Sequence, residues 1–301
     1  MWGEYAVLEG APAAVVALNR FAQVQLTMTS NAAGWRVSSE GFASPALHTY
    51  SPKPINLPCA HMLNSVLEAW QIQDYPKPFS IHTDTSSFHD AGIKLGIGSS
   101  AAVCCATYLG MAQMLGKKPQ LSQAIKIHQA FQGGRGSGLD VAASWHGGMI
   151  RFQDGIATGS AWNKALAWMP VWTGVSASTF DHLGVFKNWL EKKQTRALTT
   201  LADCSVSLFD ELNFENLHAY IDALNQLDQE AGIGIYSRSH QTLAQIADEF
   251  GLLYKPCGAG GGDLGIAIAQ GSVPAEFVTR VHQSGFATPA LEISQHGVRV
   301  H

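Results

Sequence analysis

The stretch Lys94-Leu95-Gly96-Ile97-Gly98-Ser99-Ser100-Ala101-Ala102 decides how the rest of the chain is read. Glycine lets backbone N–H groups come close to an anion, and a helix starting near Ser99 points its positive end at the same place. A hydroxyl at that helix start can hold Mg²⁺, and Lys94 adds a point charge. The pattern is neither a Walker A loop nor the G-x-G-x-x-G of a dinucleotide fold. An ordinary glycine turn before a buried helix is the alternative, and this stretch alone leaves both open.

Working downstream, Leu95 to Gly116 runs for 22 residues without a charge. That is long enough to span a membrane. It opens, however, with Gly96, Gly98, Ser99 and Ser100, and holds Thr107, Gly110 and Gln113. A loop feeding a buried core helix explains it better, with Ala102, Cys105, Ala106, Leu109, Met111 and Leu115 as its apolar face.

The whole chain has 301 residues, a net charge of −4, 14% charged residues and 46% hydrophobic ones. At about 150 residues per domain this is a two-domain length, able to bury a core without disulfide or metal staples. No bulk basic field exists for a nucleic-acid backbone, and the chain is too apolar to be disordered. Its five cysteines (Cys59, Cys104, Cys105, Cys204, Cys257) are odd in number and contain no C-x-x-C, so free thiols in a reducing cytosol are expected. The twelve His form no H-E-x-x-H. Glu4 and Glu9 stand where a signal peptide would need a basic and then an apolar segment. The expectation is a cytoplasmic protein with no membrane or nucleic-acid partner; a homodimer is left open.

Strands are expected at 13–18, 21–29, 35–39, 80–85, 148–152, 167–173 and 265–269, from apolar runs and alternation. Helices are expected at 60–73, 99–115, 121–131, 241–250 and 274–284, and 141–145 continues from a glycine-rich turn. The helix at 60–73 should bury Met62, Val66, Ala69 and Trp70. A long helical section is read from Leu183 to Leu227. The interval Asp154 to Lys164, glycine-containing and between strands, is taken as the domain boundary.

Two further glycine-rich turns carry polar residues. Gln132-Gly133-Gly134-Arg135-Gly136-Ser137-Gly138-Leu139-Asp140 leads into an apolar segment. Asp140 is either a helix cap or a carboxylate that takes a proton from a substrate hydroxyl or polarises an attacking oxygen. Arg135 can pair with an anionic substrate. Lys255-Pro256-Cys257-Gly258-Ala259-Gly260-Gly261-Gly262-Asp263 has four glycines in five residues, a turn pressed against a site or a flexible loop.

In this order and spacing, the three turns resemble the GHMP kinase superfamily over essentially the whole length, and within it most closely the phosphomevalonate kinases. Gly3-Glu4-Tyr5-Ala6-Val7-Leu8-Glu9-Gly10 resembles that family's first signature segment. Lys94 to Ala102 is similar to its phosphate loop, and Gly136 to Ala142 to its Ser-Gly-x-Asp segment. The segment Trp172 to Thr179 resembles one found in phosphomevalonate kinases, and an Asp after the last glycines is similar to their version of that loop.

The resemblance implies an α/β (α+β) fold of two domains: residues 1–160, with the phosphate loop, and residues 161–301, ferredoxin-like. It implies ATP phosphates on Gly96, Ile97, Gly98, Ser99, Ser100 and Ala101, with Mg²⁺ near Ser100. Asp140 and Lys94 become the catalytic residues. Glu4, Tyr5, Arg135, Ser137, Gly138, Gly260 and Gly261 become substrate-binding. The implied reaction is γ-phosphoryl transfer from ATP to (R)-5-phosphomevalonate, giving 5-diphosphomevalonate on the mevalonate route to isoprenoids.

Two departures stand out. The family's Pro-Gly-Lys strand ahead of the Gly-Glu-Tyr segment is missing, which reads as a shortened start. It should leave the strand at 13–18 with an unpaired edge. The Glu metal ligand of mevalonate kinases, eleven residues before the Asp, is Gln129 here. A kinase for mevalonate or another small acceptor, and a catalytically impaired ATP- or metabolite-binding protein, stay open.

Overall fold

The computed structural model describes residues 1–28, 35–41, 47–51, 56–73, 78–90, 92–134, 136–176, 179–191 and 196–301. The strands are β1 (Ala13–Val16), β2 (Gln23–Met28), β3 (Trp35–Glu40), β4 (Leu47–Ser51), β5 (Phe79–Asp84), β6 (His89–Asp90), β7 (Ile93–Lys94), β8 (Met149–Gln153), β9 (Ile156–Ser160), β10 (Leu166–Trp172), β11 (Leu253–Pro256) and β12 (Leu264–Gln270). The helices are α1 (His61–Ala69), α2 (Ser99–Met114), α3 (Leu121–Phe131), α4 (Leu139–His146), α5 (Thr179–Leu190), α6 (Arg196–Asp210), α7 (Phe214–Ala231), α8 (Arg238–Glu249) and α9 (Ala275–Gln283). The chain forms two compact units, one of Met1–Val15, Lys94–Ile97 and Arg151–Glu292, the other of Val16–Ile93, Gly98–Ile150 and Ile293–His301.

In the second unit a four-stranded sheet has the order β2-β5-β3-β4, with β3 and β5 parallel from Trp35↔Phe79 to Glu40↔Asp84. Alternation sets its inner face: Trp35, Val37 and Ser39 of β3 and Phe79, Ile81 and Thr83 of β5 are buried. The uncharged stretch after Gly98 is α2, whose Ala101, Val103, Cys104, Cys105, Thr107, Tyr108, Met111 and Ala112 are buried. Burial on most sides, rather than lipid, explains the missing charges. A Cβ at Gly110 would stand 3.0 Å from Leu26 of β2, so glycine lets helix and sheet approach. Among the described residues no helix is long and apolar enough to cross a membrane. All five cysteines are free.

The first unit holds a three-stranded antiparallel sheet, order β10-β12-β11. The central β12 is buried from Leu264 to Ala269, as a strand flanked on both sides should be. Leu243, Ile246 and Ala247 of α8 and Phe277 and Val281 of α9 pack with Val171, Tyr254, Ala267 and Ala269. At about 1.5–3 kcal/mol for each large apolar side chain, this cluster is what holds the sheet.

Four sequence expectations need correction. The helical section from Leu183 to Leu227 is three helices, and Asn213 starts the third by accepting the Asn216 N–H at 2.8 Å. Helix α1 buries Met62, Leu63, Val66 and Leu67; Ala69 is exposed, and Trp70 ends the helix half-buried with the Lys117 ammonium 5.2 Å from its ring. The interval after Asp154 contains β9, reached through left-handed Asp154 and Gly155, at φ 50° and 78°. The outer edge of β1 is not bare: Trp2 and Ala14 exchange backbone hydrogen bonds of 3.3 and 2.9 Å.

Candidate active site

In the first unit the opening segment is tied to the third glycine loop. The Lys255 ammonium, wholly buried, donates to Glu4 Oε1 at 2.5 Å and to the Pro256 carbonyl at 2.6 Å. Tyr220 Oη accepts from the Gly3 and Glu4 N–H groups at 2.8 and 3.1 Å and donates to Glu4 Oε2 at 2.6 Å. Burial alone would raise the Glu4 carboxyl, but the Lys255 charge and the bonds from Lys255 and Tyr220 hold it below its ordinary value. Tyr5, held at φ 62° and ψ −46° in a tight turn where the Ala6 N–H donates to the Glu4 carbonyl at 2.7 Å, donates from Oη to the Ala259 carbonyl at 2.6 Å. Glu4 and Tyr5 therefore spend their polar atoms on the loop and its supports.

The glycines of that loop are there for contact. A Cβ at Gly260 would collide with Ile235, and one at Gly261 with the His182 ring. The Gly261 N–H donates to the Ile235 carbonyl at 2.9 Å. Asp228 in turn fixes the Ile235 turn, accepting the Gly234, Ile235 and Tyr236 N–H groups at 2.7, 2.8 and 2.8 Å. Beneath the loop, burial pushes His240 down to about 4, so its ring is neutral at pH 7. One nitrogen then donates to the Gly262 carbonyl at 3.1 Å and the other accepts from Tyr254 Oη at 2.8 Å. The same unit contains Lys94, exposed on β7, and Gly96, left-handed at φ 71°.

In the second unit, Gly98 caps α2 at φ 79°, and no side chain caps that end. The Ala101 N–H bonds back to the Gly98 carbonyl at 3.1 Å, which leaves the Ser99 and Ser100 N–H groups for water or an anion. Ser99, Ser100 and Ala101 form that turn, and Ser100 Oγ lies 3.0 Å from Nε2 of buried His128. Asp140 belongs to the same cluster: a Cβ at Gly98 would stand 3.8 Å from its carboxyl carbon. Asp140 makes no helix cap; Gly138 occupies the cap position, at φ 85°, and Asp140 lies inside the first turn of α4. The Asp140 side chain is open to solvent on one side, yet surrounding protein still penalises its charge and raises its carboxyl, against the pull of His128. His128 is lowered by burial, with Asp140 opposing.

Other predicted residues are accounted for locally. Ser137 Oγ accepts the Leu139 N–H at 3.2 Å, and Gly138 leaves room for Ile125. Gln129 donates to the Gly136 carbonyl at 2.9 Å, so the position of a metal-binding Glu instead pins the second glycine turn. Arg135 lies outside the described residues. Among the described residues no group of three or more His, Cys, Asp and Glu could hold a metal. The donors present suit a Mg²⁺ that arrives on nucleotide phosphates, which needs only one or two protein ligands. Sequence reasoning missed Lys255, His128, His240 and Asp228, each defined by a partner distant in sequence.

Residues 59–148 match the family model described as GHMP kinases N terminal domain. The chain is 27% identical to the phosphomevalonate kinase of Streptomyces sp. (strain CL190), covering 96% of this chain and 94% of that protein. It is 25% identical to the mevalonate kinase of Thermococcus sibiricus (strain DSM 12597 / MM 739), covering 100% of this chain and 95% of that protein. The solved Streptococcus pneumoniae phosphomevalonate kinase, in complex with phosphomevalonate and AMPPNP, superposes with a TM-score of 0.77 at 18% identity, over 97% of this chain and 96% of that one. The chain has the mixed α/β, two-domain fold of the GHMP kinases.

Proposed function

We propose that this chain, which carries a GHMP kinase N-terminal domain and the fold of those kinases, transfers the γ-phosphoryl group of ATP to (R)-5-phosphomevalonate. One observation carries the reading. A carboxylate kept out of helix capping, Asp140, stands beside Gly98 at the uncapped start of α2. An anion site and a carboxylate side by side are what phosphoryl transfer needs. The match along almost the whole phosphomevalonate kinase supports the acceptor.

In this reading ATP phosphates rest on Gly96, Ile97, Gly98, Ser99, Ser100 and Ala101. Ser100 Oγ would be the protein ligand of a Mg²⁺ carried by the nucleotide, which would supply charge compensation. Lys94 adds a cation. Glu4, Tyr5, Arg135, Ser137, Gly138, Gly260 and Gly261 shape the acceptor side, Glu4 and Tyr5 through the loop they hold. The acceptor phosphate is already anionic at neutral pH, so Asp140 serves chiefly to orient groups. The domain division 1–160 and 161–301 goes with this assignment.

The test is incubation with ATP and Mg²⁺ plus either phosphomevalonate or mevalonate, following ADP release and the phosphorus NMR spectrum. A new diphosphate signal from phosphomevalonate is expected. Turnover of mevalonate alone would shift the acceptor, and ATP binding without ADP release from either would leave a binding protein.

A further inference from the structure

Asp263 closes the third glycine loop with φ 52°, a conformation few residues other than glycine adopt. Its backbone is tied at both polar atoms. The Thr173 N–H and hydroxyl donate to the Asp263 carbonyl at 2.9 and 3.0 Å, and the Asp263 N–H donates to the Val175 carbonyl at 2.7 Å. The side chain that this backbone projects meets the phosphate loop: a Cβ built on Gly96 would fall on the Asp263 carboxyl group. All of these residues belong to the first unit. A strained residue persists where its surroundings over-determine it, and such residues gather at functional sites. Here the outcome is a carboxyl group placed against the first glycine of a loop read as binding an anion, on a backbone held by Thr173 and Val175.

We propose that Asp263 is a specificity-determining residue, which makes the phosphate loop select cation-bound nucleotide over free ATP. The proposal rests on the kinase reading, which puts an ATP phosphate at Gly96, against this carboxylate. Free ATP brings its full negative charge towards a fixed negative group. A divalent cation on the phosphates offsets that repulsion before the nucleotide arrives. Two like charges a few ångströms apart near a protein surface correspond to roughly tenfold or more in affinity.

The experiment is calorimetric titration with ATP, once in excess chelator and once in saturating Mg²⁺, for the wild type and Asp263→Asn. Asparagine keeps the size and tolerates the left-handed backbone. The variant should bind metal-free ATP roughly tenfold or more tightly than the wild type, and so lose most of the preference for the Mg²⁺ form. If Asp263→Asn fails to fold, Asp263→Gly, at ease at this φ, makes the same comparison. Unchanged metal-free affinity overturns the proposal. So does a fall in Mg²⁺-ATP affinity with no gain for metal-free ATP, which would make the carboxylate a ligand of the cation. A wild type that binds neither form defeats the kinase reading itself, a result distinct from either.

Discussion

Lys255→Met removes the cation of a buried pair and leaves its anion in place. The Lys255 side chain is 0% exposed and that of Glu4 8%, so water reaches neither charge to any useful extent. Without Lys255, Glu4 keeps only the Tyr220 hydroxyl as a side-chain donor among the described residues. Stranding one member of a buried pair costs about 3–5 kcal/mol. The cost should fall on the first unit, where Glu4 and Lys255 both lie. The chain has eight tryptophans spread over both units, so the local readout during urea unfolding is hydrogen exchange at the amides from Gly3 to Ala6. The double variant Glu4→Gln/Lys255→Met removes both charges and should be more stable than Lys255→Met alone, with a coupling energy of about 1–3 kcal/mol. A loss under about 1 kcal/mol in the single variant, with additive effects in the double, would mean that the pair is not desolvated, and the account of how the opening segment holds the loop would fail.

Asp140→Asn should cut turnover by roughly 10²- to 10⁴-fold while leaving Mg²⁺-ATP affinity in calorimetry near wild type. Wild-type turnover would reduce Asp140 to a helix-terminal charge. Gly98→Val forces a β-branched residue to φ 79° at the start of α2. It should abolish ATP binding and cost about 1–3 kcal/mol of stability in urea; normal binding would dissociate this loop from the phosphates. His240 is neutral in the fold, with a pKa of about 4 against an ordinary 6.5. The unfolded chain therefore binds more protons below pH 6.5, and stability should fall by roughly 3 kcal/mol as pH drops from 6.5 towards 4. His240→Gln should flatten that part of the urea-midpoint profile. Glu4, with its folded pKa depressed, adds a further loss only below its unfolded value of about 4.5.

The parts of the fold legible in the sequence are those set by local pattern. Helix α2 was readable because glycine and serine punctuate its start and burial removes charge from its whole length. Strand β12 was readable as a short apolar run, since a central strand hides both faces. Other local signals were present and passed over. Asp154-Gly155 is a two-residue hairpin turn that announces β9, and Asn213 is a helix cap that divides the long helical section. The candidate site is different in kind. Lys255, read as the lead-in to a glycine loop, is a buried cation whose meaning comes from Glu4, 251 residues away in the chain. His128 reads as one more helical residue until Ser100 is found at its Nε2. Asp263 reads as the residue after the glycines; nothing in its identity announces that Thr173 and Val175 hold it left-handed against Gly96. Pattern reports what a residue does for its own turn of helix or strand. A residue whose work is to hold a distant loop in one position leaves no periodic trace, because the strain or charge that its neighbours tolerate is fixed by tertiary contacts alone.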